Sequence, residues 1–93
     1  MSSEDLHAPR ERLSPATLAS HHAVVSLMEE LQAIDWYRQR ADDCDDAALE
    51  AILIHNMNDE KEHVAMLLEW LRRNDSEFAA QLTKFVGTDT PIA

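Results

Sequence analysis

The sequence predicts an all-α fold, an antiparallel hairpin of two long helices followed by a short third helix. Composition is the first observation, because glycine occurs once and proline three times in 93 residues, while alanine, leucine and glutamate dominate. The second is the spacing of helix breakers, which leaves two stretches of matched length on either side of one acidic turn. Two such helices joined by a short turn form a hairpin.

The chain begins with charged residues and a proline, and residues 1–13 show no sustained hydrophobic period. This predicts a mobile N-terminal tail. Ser14 followed by Pro15 is typical of an N-cap and the first residue of a helix. Nothing breaks the helix from there to about Ala41. We therefore expect the tail to end and the helical domain, residues 14–86, to begin at Ser14.

Residues 42–46 form an acidic run that predicts the turn of the hairpin. Asp45 or Asp46 is expected to cap the second helix, where a carboxylate also complements the positive helix end. That helix is expected over about residues 47–73, and its final arginines suit the negative C-terminal end.

A short third helix is expected to restart at residues 74–76 and to end near Val86. Gly87 is the only glycine and is the residue type that most often follows a helix end. The remaining residues, 87–93, are predicted to form a C-terminal tail.

The first helix is apolar on more than one side. A hairpin buries only one stripe of each helix, so the surplus apolar surface predicts a partner. Self-association of two hairpins into a four-helix bundle is the simplest arrangement. The stripe expected to face the second helix consists of Val24, Leu27, Met28, Leu31 and Ile34, whereas Val25, Ala33 and Trp36 point elsewhere.

The net charge is −10, from 18 acidic and 8 basic residues. This charge disfavours nucleic acid and anionic membrane surfaces as partners, and it favours attraction of cations. No apolar run approaches the length that spans a membrane. Cys44 is the only cysteine, so an intrachain disulfide is excluded and a reducing compartment such as the cytoplasm is expected.

The segment Glu60-Lys61-Glu62-His63 carries the candidate chemistry. Residues three apart are neighbours on a helix, so Glu60 and His63 can reach one ion together. Both fall on the leucine-rich face of the second helix, where a charged side chain is costly unless it is paired or holds a metal. Glu30 flanks the apolar stripe of the first helix and can point toward the same interior.

Glu30, Glu60 and His63 are half of the ligand set of a di-iron carboxylate bundle, and a two-fold axis would double them to four carboxylates and two imidazoles. Such ligands suit iron or manganese, and zinc would also bind. Two iron(II) ions held side by side could each give an electron to dioxygen, which predicts a ferroxidase. One alternative is a Glu–His ion pair in a metal-free scaffold dimer. The other is a di-metal enzyme that reduces peroxide.

Three further residues have two interpretations each. The hydroxyl of Tyr37 can bond a ligand carboxylate or be satisfied at an interface. Trp36 is interpreted as a packing anchor rather than a redox group. Asp59 precedes His63 by four residues and could orient its second ring nitrogen, although a solvated acid is the preferred interpretation.

Between about Ser14 and Ile92 the chain resembles the encapsulated ferritins, short ferritin-like proteins carried inside encapsulin nanocompartments. Five segments carry the resemblance: Met28–Leu31, Asp35–Tyr37, His55–Asn56, Glu60–His63 and Leu68–Asn74. The resemblance implies a ferritin-like four-helix bundle made by two hairpins, a di-iron ferroxidase centre between them, and a ring of five such dimers. It also implies that the surrounding encapsulin shell stores the oxidised iron.

Carried over residue by residue, the iron ligands of this family fall on Glu30, Glu60 and His63. Trp36 and Tyr37 match residues that the family places near the metal. Glu29 is implied to line the approach of iron to the centre. Family members tend to carry a second acid at the position of Gln32, so slower capture of iron is expected here. Members also usually have a tail that docks to the shell, whereas this sequence stops at Pro91-Ile92-Ala93.

Overall fold

The computed structural model describes residues 6–93, in which three α-helices and no strand are present. Helix α1 spans Pro15–Asp42, α2 spans Ala47–Asn74 and α3 spans Ser76–Phe85. The predicted all-α hairpin with a short third helix is confirmed, and each predicted helix boundary lies within a residue or so of the observed one. None of these helices is long and apolar enough to cross a membrane.

The predicted N-terminal tail lies partly outside the described residues, because residues 1–5 are not described. Within the rest of it, Arg10–Arg12 form one short 3-10 turn. At the other end of the chain, Gly87 has a φ of +76°, the left-handed conformation that glycine adopts without strain. The mobility of both tails and the division into a domain and two tails stay predictions.

Each α-helix begins at a side chain that accepts a hydrogen bond from a backbone N–H in the first turn. These bonds satisfy donors that the helix itself leaves unpaired, which fixes where each helix starts. Asp46 rather than Asp45 caps α2. The three bonds run from Thr17 N to Ser14 Oγ at 3.1 Å, from Leu49 N to Asp46 Oδ1 at 2.9 Å, and from Phe78 N to Asp75 Oδ1 at 2.9 Å.

Helices α1 and α2 pack along each other, and α3 packs against α2. The buried and half-buried residues at the α1–α2 seam recur at alternating steps of three and four, the spacing of a coiled coil. Both rows contain one glutamate near the middle. The seam rows are Ala23, Leu27, Glu30, Ile34, Tyr37 and Ala41 on α1, and Glu50, Leu53, Met57, Glu60, Val64, Leu67 and Leu71 on α2.

The apolar stripe predicted for α1 is partly wrong. Leu27 and Ile34 lie in the seam, but Val24, Met28 and Leu31 are 41%, 38% and 50% exposed. The hydrophobicity of these longer side chains predicts that they are buried. A helix that packs against only one other helix, however, buries only one row of its residues. The row that is buried in the seam instead has the small residues Ala23 and Ala41 at its two ends.

The single chain has a thin core and a large surface. Its accessible surface is 7242 Å², whereas a compact monomer of 10.6 kDa is expected to expose roughly 5,500 Å². The excess, roughly 1,700 Å², exceeds the share of about 800 Å² that one partner buries in a standard interface. The buried apolar residues among those described are Ala23, Ala41, Met57 and Leu71.

Candidate metal centre

Glu30 of α1 meets Glu60 and His63 of α2 at the middle of the hairpin. One ligand atom from each residue lies within 4.8 Å of the other two. His63 Nδ1 is 3.3 Å from Glu60 Oε2 and 3.5 Å from Glu30 Oε2. The three residues singled out in the sequence are therefore brought together by the fold, and both carboxylates face the same ring nitrogen.

The two helices position these ligands in different ways. Glu30 and Glu60 occupy equivalent seam rows of α1 and α2, so packing of the helices sets them against each other. His63 follows Glu60 by three residues, a step of about 300° around the helix. The imidazole consequently stands about 60° away from the seam row, on the neighbouring flank of α2.

This offset corrects one expectation about His63. The sequence pattern places it among the leucines of a buried face, but its side chain is 48% exposed, compared with 22% for Glu60 and 28% for Glu30. The carboxylates are half-buried by the hairpin alone, whereas the imidazole borders open surface. The cluster is therefore shielded on one side and open on the flank that carries His63.

The charges in the cluster favour a bound cation. Two carboxylates share one imidazole, and within residues 6–93 no lysine or arginine is within ion-pair distance of Glu30 or Glu60. Even a protonated imidazole would leave a net negative charge. Carboxylate oxygens with an imidazole nitrogen fit iron, manganese or zinc in the divalent state. Three protein ligands also leave coordination positions free for further ligands.

The residues predicted to support the centre have more varied positions. Glu29 is exposed, on the row next to Glu30. The guanidinium of Arg40 lies 5.9 Å from the ring centre of Trp36 and 5.7 Å from that of Tyr37, within cation–π distance of both rings, a contact that the sequence did not predict. No hydrogen bond joins Tyr37 to the ligand carboxylates within the described part of the chain. Tyr37 stands two turns, or about 10 Å, from Glu30.

Asp59 does not orient His63. Its Oδ2 lies 3.3 Å from Nε2 of His55, one turn earlier on α2. The spacing of four residues that was considered for Asp59 and His63 applies equally to His55 and Asp59, and the structure uses the earlier pair. Both partners are mostly exposed, so the pair adds little to stability.

The helical hairpin and its central carboxylate–imidazole cluster define the class of ferritin-like proteins. A protein from Nitrosomonas europaea with a solved crystal structure has the same fold, with a TM-score of 0.91 and 49% sequence identity. The match covers 95% of this chain and 97% of that chain.

Within that class, the sequence matches the family described as EncFtn-like over residues 5–89. It is 53% identical over 91 residues to the "Encapsulated ferritin-like protein" of Rhodospirillum rubrum, covering 98% of this chain and 65% of that protein. It is also 40% identical over 89 residues to a "Ferritin-like protein" of Thermotoga maritima, covering 96% of this chain and 78% of that protein. The chain therefore belongs to the EncFtn-like family, as the resemblance in its sequence predicted.

Proposed function

We propose that this protein is a ferroxidase, which oxidises iron(II) to iron(III) with dioxygen at a di-iron centre formed between two chains. The observation that carries the proposal is the convergence of Glu30, Glu60 and His63 within 4.8 Å at the middle of the hairpin. Membership of a ferritin-like family supports iron as the ion handled there.

One chain supplies three ligands, which is half of the set that ferritin-like di-iron sites use. A second copy, related by a two-fold axis near the cluster, brings the total to four carboxylates and two imidazoles. Two divalent cations would balance the four negative charges, which would otherwise repel one another inside the assembled bundle. This count links assembly of the protein to its chemistry, because neither chain alone completes the site.

Iron(II) is the substrate in this proposal. The carboxylates of Glu30 and Glu60 hold two iron(II) ions side by side, and His63 adds a nitrogen ligand from each chain. Each iron gives one electron, and the two electrons with two protons convert dioxygen to hydrogen peroxide. The hard carboxylate oxygens favour the iron(III) product over iron(II), which makes the oxidation more favourable.

The neighbouring residues have supporting roles in the proposal. Glu29 and the acidic surface gather iron(II) toward the site, with Gln32 as a neutral neighbour. Tyr37 donates a hydrogen bond to a ligand carboxylate across the dimer, and Trp36 packs beside it. The guanidinium of Arg40 lies near both rings.

The biological setting is proposed from the family. The R. rubrum relative is named as an encapsulated ferritin-like protein. We propose that this protein likewise lies inside an encapsulin nanocompartment in the cytoplasm, assembles as a ring of five dimers, and passes oxidised iron to the shell for storage. The large excess of accessible surface supports assembly beyond the single chain.

The first test is an anaerobic titration of iron(II) into metal-free protein, followed by exposure to air. We expect binding of about one iron per chain and uptake of one dioxygen for two irons oxidised. Glu60→Ala is expected to lose both. Undiminished oxidation in that variant would move the site elsewhere. Absence of bound iron, manganese and zinc after reconstitution would favour a metal-free scaffold, and turnover with peroxide instead of dioxygen would favour a peroxidase.

A further inference from the structure

Met66 lies one helical turn beyond the ligand His63 on α2, and its side chain is 63% exposed. We propose that Met66 is a modification site, at which the thioether sulfur is oxidised to a sulfoxide by hydrogen peroxide leaving the metal centre. The inference rests on the proposed function, because the reduction of dioxygen by two iron(II) ions is the step that forms this peroxide. Met66 thereby intercepts a reactive product before it reaches the solvent.

The position of Met66 on α2 places it at the rim of the metal centre. Each step of three residues turns a helix by about 300°, so His63 stands about 60° and Met66 about 120° away from the row of Glu60. Residues three apart are neighbours on a helix, which sets the thioether beside the imidazole, the most exposed of the three ligands. On its outer side, Met66 lines an open groove with Glu62 and Trp70. Met66 therefore lies between the open flank of the centre and the solvent.

A methionine thioether is chemically suited to react with peroxide. Its sulfur is soft and polarizable, and a two-electron oxidant converts it to a sulfoxide. A lone pair of the sulfur attacks one oxygen of hydrogen peroxide, the O–O bond breaks as the S–O bond forms, and the second oxygen leaves as water with the proton of the first. The sulfur loses two electrons and the peroxide gains them, so no further reactant is needed. Methionine sulfoxide reductases reverse the modification.

Two other methionines show what distinguishes Met66. Met57 precedes Glu60 by three residues, as Met66 follows the imidazole ligand by three, but Met57 is buried in the seam with 8% of its surface exposed. Met28 is 38% exposed, but it stands about 160° around α1 from Glu30, on the side turned away from the seam. Among the methionines of residues 6–93, Met66 alone combines exposure with a position next to the exposed ligand.

The source of the peroxide separates this site from ordinary oxidation of exposed methionines. Peroxide that arrives from the bulk oxidises methionines according to their exposure. Peroxide that forms at the centre passes Met66 first, at an effective concentration that the bulk solution does not reach. We therefore expect turnover to favour Met66 over Met28 by more than the ratio of their exposures.

The test is repeated addition of iron(II) in air with catalase present, followed by peptide mass spectrometry to locate the added oxygen atom. Catalase destroys peroxide that has left the protein. The reference is protein loaded with zinc(II), which is redox-inert, and treated with hydrogen peroxide without catalase. We expect the ratio of sulfoxide at Met66 to sulfoxide at Met28 to be about tenfold higher under turnover than in the reference. Met57 should remain unoxidised in both samples, because the seam covers it.

Oxygen uptake is recorded in the same samples, and Glu60→Ala should show no excess of sulfoxide at Met66 with iron(II) in air. Met66→Leu keeps the volume of the side chain and removes the sulfur. Without catalase, this variant should take up oxygen at the unaltered rate and release more peroxide in its first turnover than the control Met28→Leu. Equal sulfoxide ratios from both sources of peroxide, in a protein that takes up oxygen normally, would overturn the modification site and keep the ferroxidase. Absence of oxygen uptake would reject both.

Discussion

Two clusters on α2 have the same local spacing and opposite character. At the end of the helix, Glu69 precedes Arg72 by three residues and accepts hydrogen bonds from Arg72 Nε and Nη2 and from Arg73 Nε at 2.6–2.7 Å. At the middle, Glu60 precedes His63 by three, but the imidazole lies 3.3 Å away and is shared with Glu30. We call the first cluster closed, because its carboxylate is paired with two guanidinium groups, and the second open, because its two carboxylates share one imidazole.

The difference lies in the charge of the partners. Hydrogen bonds from Arg72 and Arg73 lower the pKa of Glu69 to about 2, so this carboxylate is already satisfied by two permanent cations. Glu30 and Glu60 share a single imidazole, that of His63, and have no guanidinium or ammonium partner among the described residues. A glutamate followed three residues later by an arginine or histidine therefore indicates a metal site only where no guanidinium or ammonium group already pairs with the carboxylate.

The largest expected effect comes from adding a permanent cation to the cluster of Glu30, Glu60 and His63. His63→Arg would place a permanent cation beside Glu60 and Glu30, as Arg72 does for Glu69. Iron binding and oxidation are expected to fall by about 100-fold or more. Loss of a group that only hydrogen-bonds a metal ligand already lowers metal affinity or activity by about 10–100-fold. The melting temperature of the metal-free protein should not fall, because the two carboxylates gain a cation.

Oxygen uptake and iron titration measure the first effect, and thermal unfolding followed by circular dichroism measures the second. Glu69→Gln is the control, which alters the closed cluster and should retain iron oxidation. Equal loss of oxidation in Glu69→Gln and His63→Arg would contradict the distinction between the two clusters.

A second prediction concerns stabilisation by metal. Manganese(II) at about 100 times its dissociation constant is expected to stabilise the folded protein by about 2.7 kcal/mol. The same addition should raise the mass measured by light scattering, because in the proposed two-chain centre the metal would remove repulsion between carboxylates of the two chains. Glu60→Gln should show neither response, whereas Glu69→Gln should show both. An identical assembly in excess chelator would argue against metal as the factor that joins the chains.

The smallest expected effect is the pH dependence of the closed cluster. Because the pKa of Glu69 is lowered from 4.5 to about 2 in the folded chain, its contribution to stability is complete above pH 4.5 and is lost as the pH falls toward 2. The melting temperature of the metal-free protein should exceed that of Glu69→Gln by a small margin above pH 4.5, and the margin should shrink in acid. A margin that grows in acid would contradict this assignment.

Much of the candidate site could be predicted from the sequence because its ligands follow local rules. Glu60 and His63 are neighbours on any helix, and Glu30 needed only the hairpin to meet them. Arg40 also stands at helical spacing from Trp36 and Tyr37, four and three residues later, but spacing alone does not select the rotamer that brings its guanidinium to the two rings. Two residues before Arg40 and two after it lie one helical turn away. Which of them the guanidinium contacts depends on the packing around the side chain.

The sequence by itself determined where the helices begin and end, because Ser14, Asp46 and Asp75 cap them through bonds to residues three positions away. Only the tertiary structure decided which row of α1 is buried. The row with Ala23 and Ala41 is buried, whereas Val24 and Leu31 are exposed. This outcome depends on how α1 packs against α2, which neither helix determines alone. That choice sets Glu30 against Glu60 and leaves His63 at the open edge.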